Sequence, residues 1–227
     1  MPVSLPPLSL LETRVLGVLS EKQRTVPDTY PLTLNALVAG CNQKTSRDPV
    51  MDASEADVQA ALDELRSHSL IIESSGGRVP RYAHNIERVL QVPTQSTAIL
   101  TALMLRGPQT AGELRINCDR LHRFADISAV EAFLAELSER SAGALVQELP
   151  RQPGSRENRW MHLLSGAPSA EMLQAAASAS APVSQSSQVV SVVDAMGGRV
   201  TELEAEVAQL KKKLAQLCQE LGVSLDD

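Results

Sequence analysis

One order of local folding signals occurs twice in this chain, and that repetition limits its architecture more than any other feature. Ser9 and Glu12 form a capping box, in which a hydroxyl and a carboxylate satisfy backbone N–H groups left free at a helix start. Leu11, Val15, Val18 and Leu19 then fall on one helical face. A second short helix is predicted from Thr33, with Leu34, Leu37 and Val38 inward and an end near Gly40 to Asn42. A third starts at Ser54, boxed by Asp57, and buries Val58, Ala61, Leu62 and Leu65. Leu70, Ile71 and Ile72 are β-prone, Gly76-Gly77 signals a hairpin turn, and Pro80 marks Arg78 to His84 as an edge strand.

The same order returns after Pro93. Ile99, Leu100 and Leu103 lie on a helix stopped by Gly107-Pro108, Thr110 and Glu113 box a second helix, and Ser128 with Glu131 is expected to box a third carrying Val130, Phe133, Leu134 and Leu137. Ala144 to Leu149 and Arg159 to Leu164 then flank the loop PRQPGSREN. Val15 to Leu19 maps on Ile99 to Leu103 at an offset of 84, Leu37 on Leu114 at 77, and Val58, Leu62 and Leu65 on Val130, Leu134 and Leu137 at 72. Copy one therefore holds 7 extra residues before its second helix and 5 after it. Three helices followed by a hairpin is the order of a winged helix-turn-helix. The expected class is mainly α with small β-wings: winged-helix domains at 1–90 and 91–165, a linker at 166–188 and a coiled-coil dimerisation helix at 189–227.

The tail supports the last assignment. Residues 166–188 are rich in Ala, Ser, Pro and Gln, as linkers are. From Val189 the apolar residues Val193, Met196, Val200, Leu203, Val207, Leu210, Leu214, Leu217 and Leu221 alternate in steps of four and three, the a/d repeat of a coiled coil. Val193, Val200 and Val207 at a, with Leu203, Leu210 and Leu217 at d, favour a parallel homodimer. Charge pairs fit both orientations.

Aromatic residues are only 2% of the 227, so cores must be aliphatic, which suits helices. No apolar stretch reaches the roughly 20 residues of a membrane span, and the N-terminus lacks a basic segment followed by an apolar one, so a cytoplasmic, membrane-free protein is expected. Three widely spaced cysteines make no disulfide framework. There is no phosphate-binding glycine loop, nucleophile elbow or H-E-x-x-H, so neither an enzyme nor a cofactor is expected. Cys118 and His122 are four apart but lack a second pair of zinc ligands.

The net charge of −6 divides as −2 over residues 1–90, 0 over 91–165 and −4 over 166–227, which excludes a broadly basic nucleic-acid surface. Both third helices are acidic, with Glu55, Asp57, Asp63 and Glu64 in copy one and Glu131, Glu136 and Glu139 in copy two, and acidic faces repel phosphate. Arg115, Arg120 and Arg123 precede the third helix of copy two, and Arg151, Arg156 and Arg159 lie in or beside its wing. These six are the candidates for contact with nucleic acid or another anionic partner. The bland alternative is a solvated surface with Asp119 and Glu157 as ion-pair partners.

The insertion after the second helix of copy one, CNQKTSRDP, is either a connection or a site. As a connection, Asn42 and Asp48-Pro49 build turns while Lys44 and Arg47 pair with Asp48 or Asp52. As a site, Asn42, Lys44 and Arg47 contact the second winged helix or an outside partner.

The stretches LGVLSEKQRTVPDTYPLTLNALVAGCNQKTSRDPVM, AGELRINCDRLHRFADISAVEAFLAEL and LPRQPGSRENRW resemble the YceH family of uncharacterised bacterial proteins over about residues 9–165, with Trp160 where a smaller aromatic is the family's pattern. The resemblance implies a cytoplasmic bacterial protein with tandem winged helices and implies no reaction. Two functional classes fit: a DNA-associated regulator using the arginines of copy two, and a protein-interaction scaffold using the acidic helices.

Overall fold

A computed structural model describes residues 5–74, 77, 79–151, 155 and 157–168. They fall in the first of two compact units, Met1–Ser180 and Ala181–Asp227. Arg156, most of the predicted linker and the predicted dimer positions Val193, Val200, Leu203, Val207, Leu210, Leu214, Leu217 and Leu221 lie outside the described residues. The architecture is mixed α+β: among the described residues, seven α-helices and two small antiparallel sheets.

In the first half, α1 (Leu10–Thr25) starts at the Ser9/Glu12 capping box, and a single 3-10 turn follows at Pro27–Thr29. α2 (Leu34–Cys41) is capped by Thr33, and α3 (Glu55–Ser67) by Ser54 boxed with Asp57. β1 (Ile71–Ser74) and β2 (Arg81–His84) pair with Ile71 opposite His84 and Ser74 opposite Arg81. The short α4 (Ile86–Leu90), which hydrophobic period alone does not reveal at five residues, links the halves.

The second half repeats the order with α5 (Thr94–Arg106), α6 (Ala111–Asn117), α7 (Ile127–Ser138), β3 (Val146–Glu148) and β4 (Trp160–His162). α5 ends at Gly107, whose φ of 72° is left-handed backbone that glycine adopts without a Cβ penalty. The start of α7 differs from the expected Ser128/Glu131 box. Asp126 is the N-cap, its carboxylate accepting the Ala129 N–H at 2.8 Å, which leaves Ser128 inside the first turn. A short carboxylate at the chain's last extended residue takes the free N–H groups before Ser128 is reached.

A backbone bridge also repeats. Leu32, just before α2, exchanges two hydrogen bonds with Tyr82 of β2, at 3.0 and 2.8 Å. Gln109, just before α6, does the same with Trp160 of β4, at 3.0 and 2.7 Å. Each hairpin thus gains a third, one-residue strand that fixes where the second helix starts.

The two halves share one core, because α1 packs on α5. Val15, Leu16, Val18 and Leu19 of α1 and Ile99, Leu100 and Leu103 of α5 are buried in a single apolar cluster with Leu37, Leu62, Leu65, Leu114, Val130, Leu134 and Leu137. At about 1.5–3 kcal/mol for each fully buried large aliphatic side chain, this cluster is the main source of stability. Gly17 permits the close approach: a Cβ there would lie 3.0 Å from Leu105 Cδ2. One turn on, Ser20 and Thr101 hydroxyls meet at 2.7 Å. The Thr101 hydrogen goes to the Thr97 carbonyl, so Ser20 is the donor between the helices. Gly17 with Leu105 and Ser20 with Thr101 run in opposite chain directions, so α1 and α5 are antiparallel.

Candidate functional site

The inserted run after α2 is built around a buried guanidinium. Arg47 has a side chain 0% exposed, and its Nη1 and Nη2 donate to Glu21 Oε1 and Oε2 at 3.1 and 2.6 Å. Nε donates to the Gly40 carbonyl and Nη1 also to its neighbour's carbonyl at Ser46. Arg47 therefore faces inward and pairs with Glu21 of α1, not with Asp48 or Asp52. Asn42 is also internal, its amide donating to Ala53 O and accepting Ala53 N–H, both at 2.8 Å. Lys44 is exposed. The chain around Arg47 then reaches the second half: Asp48 N–H donates to Leu105 O at 2.8 Å, and Arg106 Nη2 donates to Ser46 Oγ at 2.9 Å.

A second buried arginine holds the other side of this run. Arg14 is 0% exposed and donates to Cys41 O at 3.2 Å and Pro49 O at 2.7 Å, with its Nε unpartnered. Burial, and next the Arg47 charge, lower its pKa, yet an arginine remains protonated, so the carbonyls are what make its burial tolerable. Arg14, buried, and Glu21, half-buried, are polar positions of the fold that the apolar pattern passes over. Their signal is spacing: Arg14, Val18 and Glu21 follow one another by four and three, so both charged residues sit on the inward stripe of α1.

Arg115, Arg120 and Arg123 lie on α6 and the turn after it, all exposed. Arg115 reaches the Ala125 carbonyl at 3.4 Å, and Arg123 lies 3.8 Å from Asp119 with a side chain 90% exposed, a contact that solvent largely screens. Arg120 lines a cleft of about 240 Å³ with Glu21, Lys22, Arg106 and Asn117, so α1 and α5 add two cations to this edge, one of them, Lys22, 3.3 Å from Glu21. Ile116 projects beside them and is 71% exposed.

The wing arginines divide. Arg159 is a tether: Nη1 donates to Pro108 O at 2.7 Å and Nη2 to Glu113 Oε1 at 2.9 Å, which ties β4 to the start of α6. Its partner is Glu113, not Glu157. Arg151 is exposed and shares a shallow hollow with Glu131, Glu148 and Glu157. On α3, Glu55, Asp57, Asp63 and Glu64 are exposed, as are Glu131 and Glu136 on α7.

The buried thiols and imidazoles belong to the core. Burial pushes Cys41 up to about 11 and Cys118 up to about 12, so both remain protonated and unreactive near neutral pH. Cys118 Sγ contacts the Ala98 carbonyl at 3.4 Å, and the His122 ring packs edge-on against Phe124, so the two residues four apart serve packing. His84 Nε2 meets Gln23 Oε1 at 2.7 Å while its Nδ1 faces the Ile86 N–H, an arrangement for the neutral ring protonated on Nε2. No described helix is long and apolar enough to cross a membrane.

The described body is thus of the mixed α+β class, with a helix–hairpin order that occurs twice. The model of a protein family of unknown function, DUF480, matches residues 8–155. UPF0502 proteins are similar over nearly the whole chain: one from Dechloromonas aromatica is 60% identical over 97% of this chain and 100% of its own length. One from Paraburkholderia phymatum is 56% identical over 97% and 92%, and one from an Acidovorax species 56% over 96% of each. The chain belongs to this DUF480/UPF0502 family of uncharacterised bacterial proteins.

Proposed function

We propose that the protein is a non-enzymatic, cytoplasmic, dimeric binding protein of tandem winged-helix architecture, as the YceH resemblance implies, and that it associates with DNA through the basic edge of its second half. The observation that carries this reading is the exposed cluster Arg115, Arg120 and Arg123 on α6 and the following turn, extended by Lys22 and Arg106 in the adjoining cleft. Exposed guanidinium groups neutralise phosphates, and phosphate contacts supply most nonspecific affinity. The acidic α7 turns away the usual insertion of the third helix into the major groove, so the contact is to the backbone and of low sequence preference. Pairing of the heptads of 189–227 doubles the edge.

The test is fluorescence anisotropy of random duplex DNA over a salt series, with wild type and with Arg115, Arg120 and Arg123 each changed to Ala. Counterion release makes log affinity fall linearly with log salt, by about 0.9 for each phosphate neutralised, and the triple variant has a shallower slope. Arg159→Ala is unsuited to this test, because its loss breaks the tether to Glu113 and Pro108. Absence of binding at low salt removes the DNA reading.

A second reading rests on a different observation, the exposed carboxylates of α3 and α7. Such faces suit a basic protein partner, and this scaffold role stands if DNA is not bound.

A further inference from the structure

The N-terminal segment crosses the second half of the body and is pinned there, Leu8 N–H donating to Leu164 O at 2.8 Å. Beneath it opens a cleft of about 300 Å³, walled on its apolar sides by Leu5, Pro7, Val89, Leu145 and Leu163. That volume is at the lower end of the range for small-molecule sites. Arg140, one residue past the Glu139 cap of α7, is the single charged residue lining it.

Arg140 is half-buried, and its Nη2 donates to the Leu90 carbonyl at the end of α4. Among the described residues no carboxylate stands within 4 Å of it; the ion pairs there are made by Lys22 and by other arginines. One carbonyl answers one of the five guanidinium N–H groups and brings only partial charge. Of the other buried or half-buried arginines treated above, Arg47 has Glu21 and Arg159 has Glu113; Arg14 has two carbonyls and no carboxylate, but it is 0% exposed and does not line this cleft. An unneutralised cation at an apolar wall attracts a carboxylate more strongly than one in open water, because less solvent screens it, and the guanidinium fork matches a carboxylate in two-point contact.

We propose that this cleft binds a small aliphatic carboxylate, its chain on Leu5, Val89, Leu145 and Leu163 and its carboxylate on Arg140. The site lies apart from the α6 edge and does not depend on the DNA reading. The probe is octanoate, with octanol as the uncharged match and octylamine as the reversed charge, followed by NMR shifts of the full chain and by calorimetry. Octanoate is expected to bind at least about tenfold more tightly than octanol, with shifts at Val89, Leu145 and Leu163 and with octylamine weakest. Arg140→Gln removes the preference for octanoate while keeping any apolar binding. Equal affinity for octanoate and octanol, shifts elsewhere, or a preference that survives Arg140→Gln overturns the proposal. The wild-type comparison of the three probes decides it even where Arg140→Gln fails to fold.

Discussion

Arg47 and Glu21 form a two-point ion pair, at 2.6 and 3.1 Å, that joins the inserted run of the first half to α1 with the guanidinium wholly removed from solvent. Burial by itself raises the Glu21 carboxyl, and the hydrogen bonds and charge of Arg47, aided by Lys22, outweigh it, holding the group below its ordinary 4.5.

Glu21→Gln leaves Arg47 buried without a counter-charge, and removing one partner of such a pair costs about 3 kcal/mol. Urea unfolding is the measurement. A depressed carboxylate stabilises above its unfolded value and loses that contribution as pH falls through the folded one, so wild type loses stability below about pH 4.5 and Glu21→Gln loses less. Equal acid slopes would show that the pair is not a source of stability.

His84 gives a second pH dependence. Burial, then the charge of Arg24, lowers it from 6.5 to about 4. Above pH 6.5 both states are neutral there; between 6.5 and about 4 the unfolded chain binds a proton that the folded one refuses, so stability falls on acidification, by on the order of 3 kcal/mol in full. His84→Gln removes the part of this slope due to His84, and His162, also lowered to about 4 by burial, supplies the remainder. An NMR titration showing His84 protonated at pH 6 would contradict the prediction.

Gly40 of α2 faces Val18 of α1 so closely that an added Cβ would lie 2.6 Å from Val18 Cγ1. Helix propensity favours Gly40→Ala by about 1 kcal/mol, but overpacking costs about 1–3 kcal/mol, so the variant is destabilised. Val18→Ala in the same chain relieves the clash, and a double-mutant cycle by thermal unfolding reads a coupling on the order of 1 kcal/mol. Additive effects would mean that the two helices shift apart instead.

By light scattering the full chain is expected to be a dimer, and removal of residues 189–227 is expected to give a folded monomer. The reason is the unbroken a/d repeat from Val193 to Leu221. A truncated protein that stays dimeric places the main interface in the body.

Much of the local structure is readable from residues alone. The capping boxes at Ser9, Ser54 and Thr110 stand where the S/T-x-x-E/D pattern puts them, because a cap is an interaction over three residues. The missed Asp126 cap is of the same kind: two usable caps lie two residues apart, and only the path of the chain into α7 selects one. The candidate arginines divide for a longer-range reason. Arg115, Arg120 and Arg123 look alike in sequence to Arg47 and Arg159, yet the first three stay in solvent while the other two meet Glu21 and Glu113 across 26 and 46 residues of chain.

The sequence by itself determined the repeated order of helices and hairpins, the inward apolar stripes and the heptads of the tail, since each follows from hydrogen bonding and periodicity over a few residues. Only the tertiary structure decided that α1 and α5 merge the halves into one core, that the inserted run of copy one is clasped by Arg14 and Glu21, and that Arg140, with no carboxylate beside it among the described residues, lines a cleft with aliphatic walls. Those outcomes depend on which surfaces cover a charge and exclude water from it, and desolvation is set by neighbours distant in the chain.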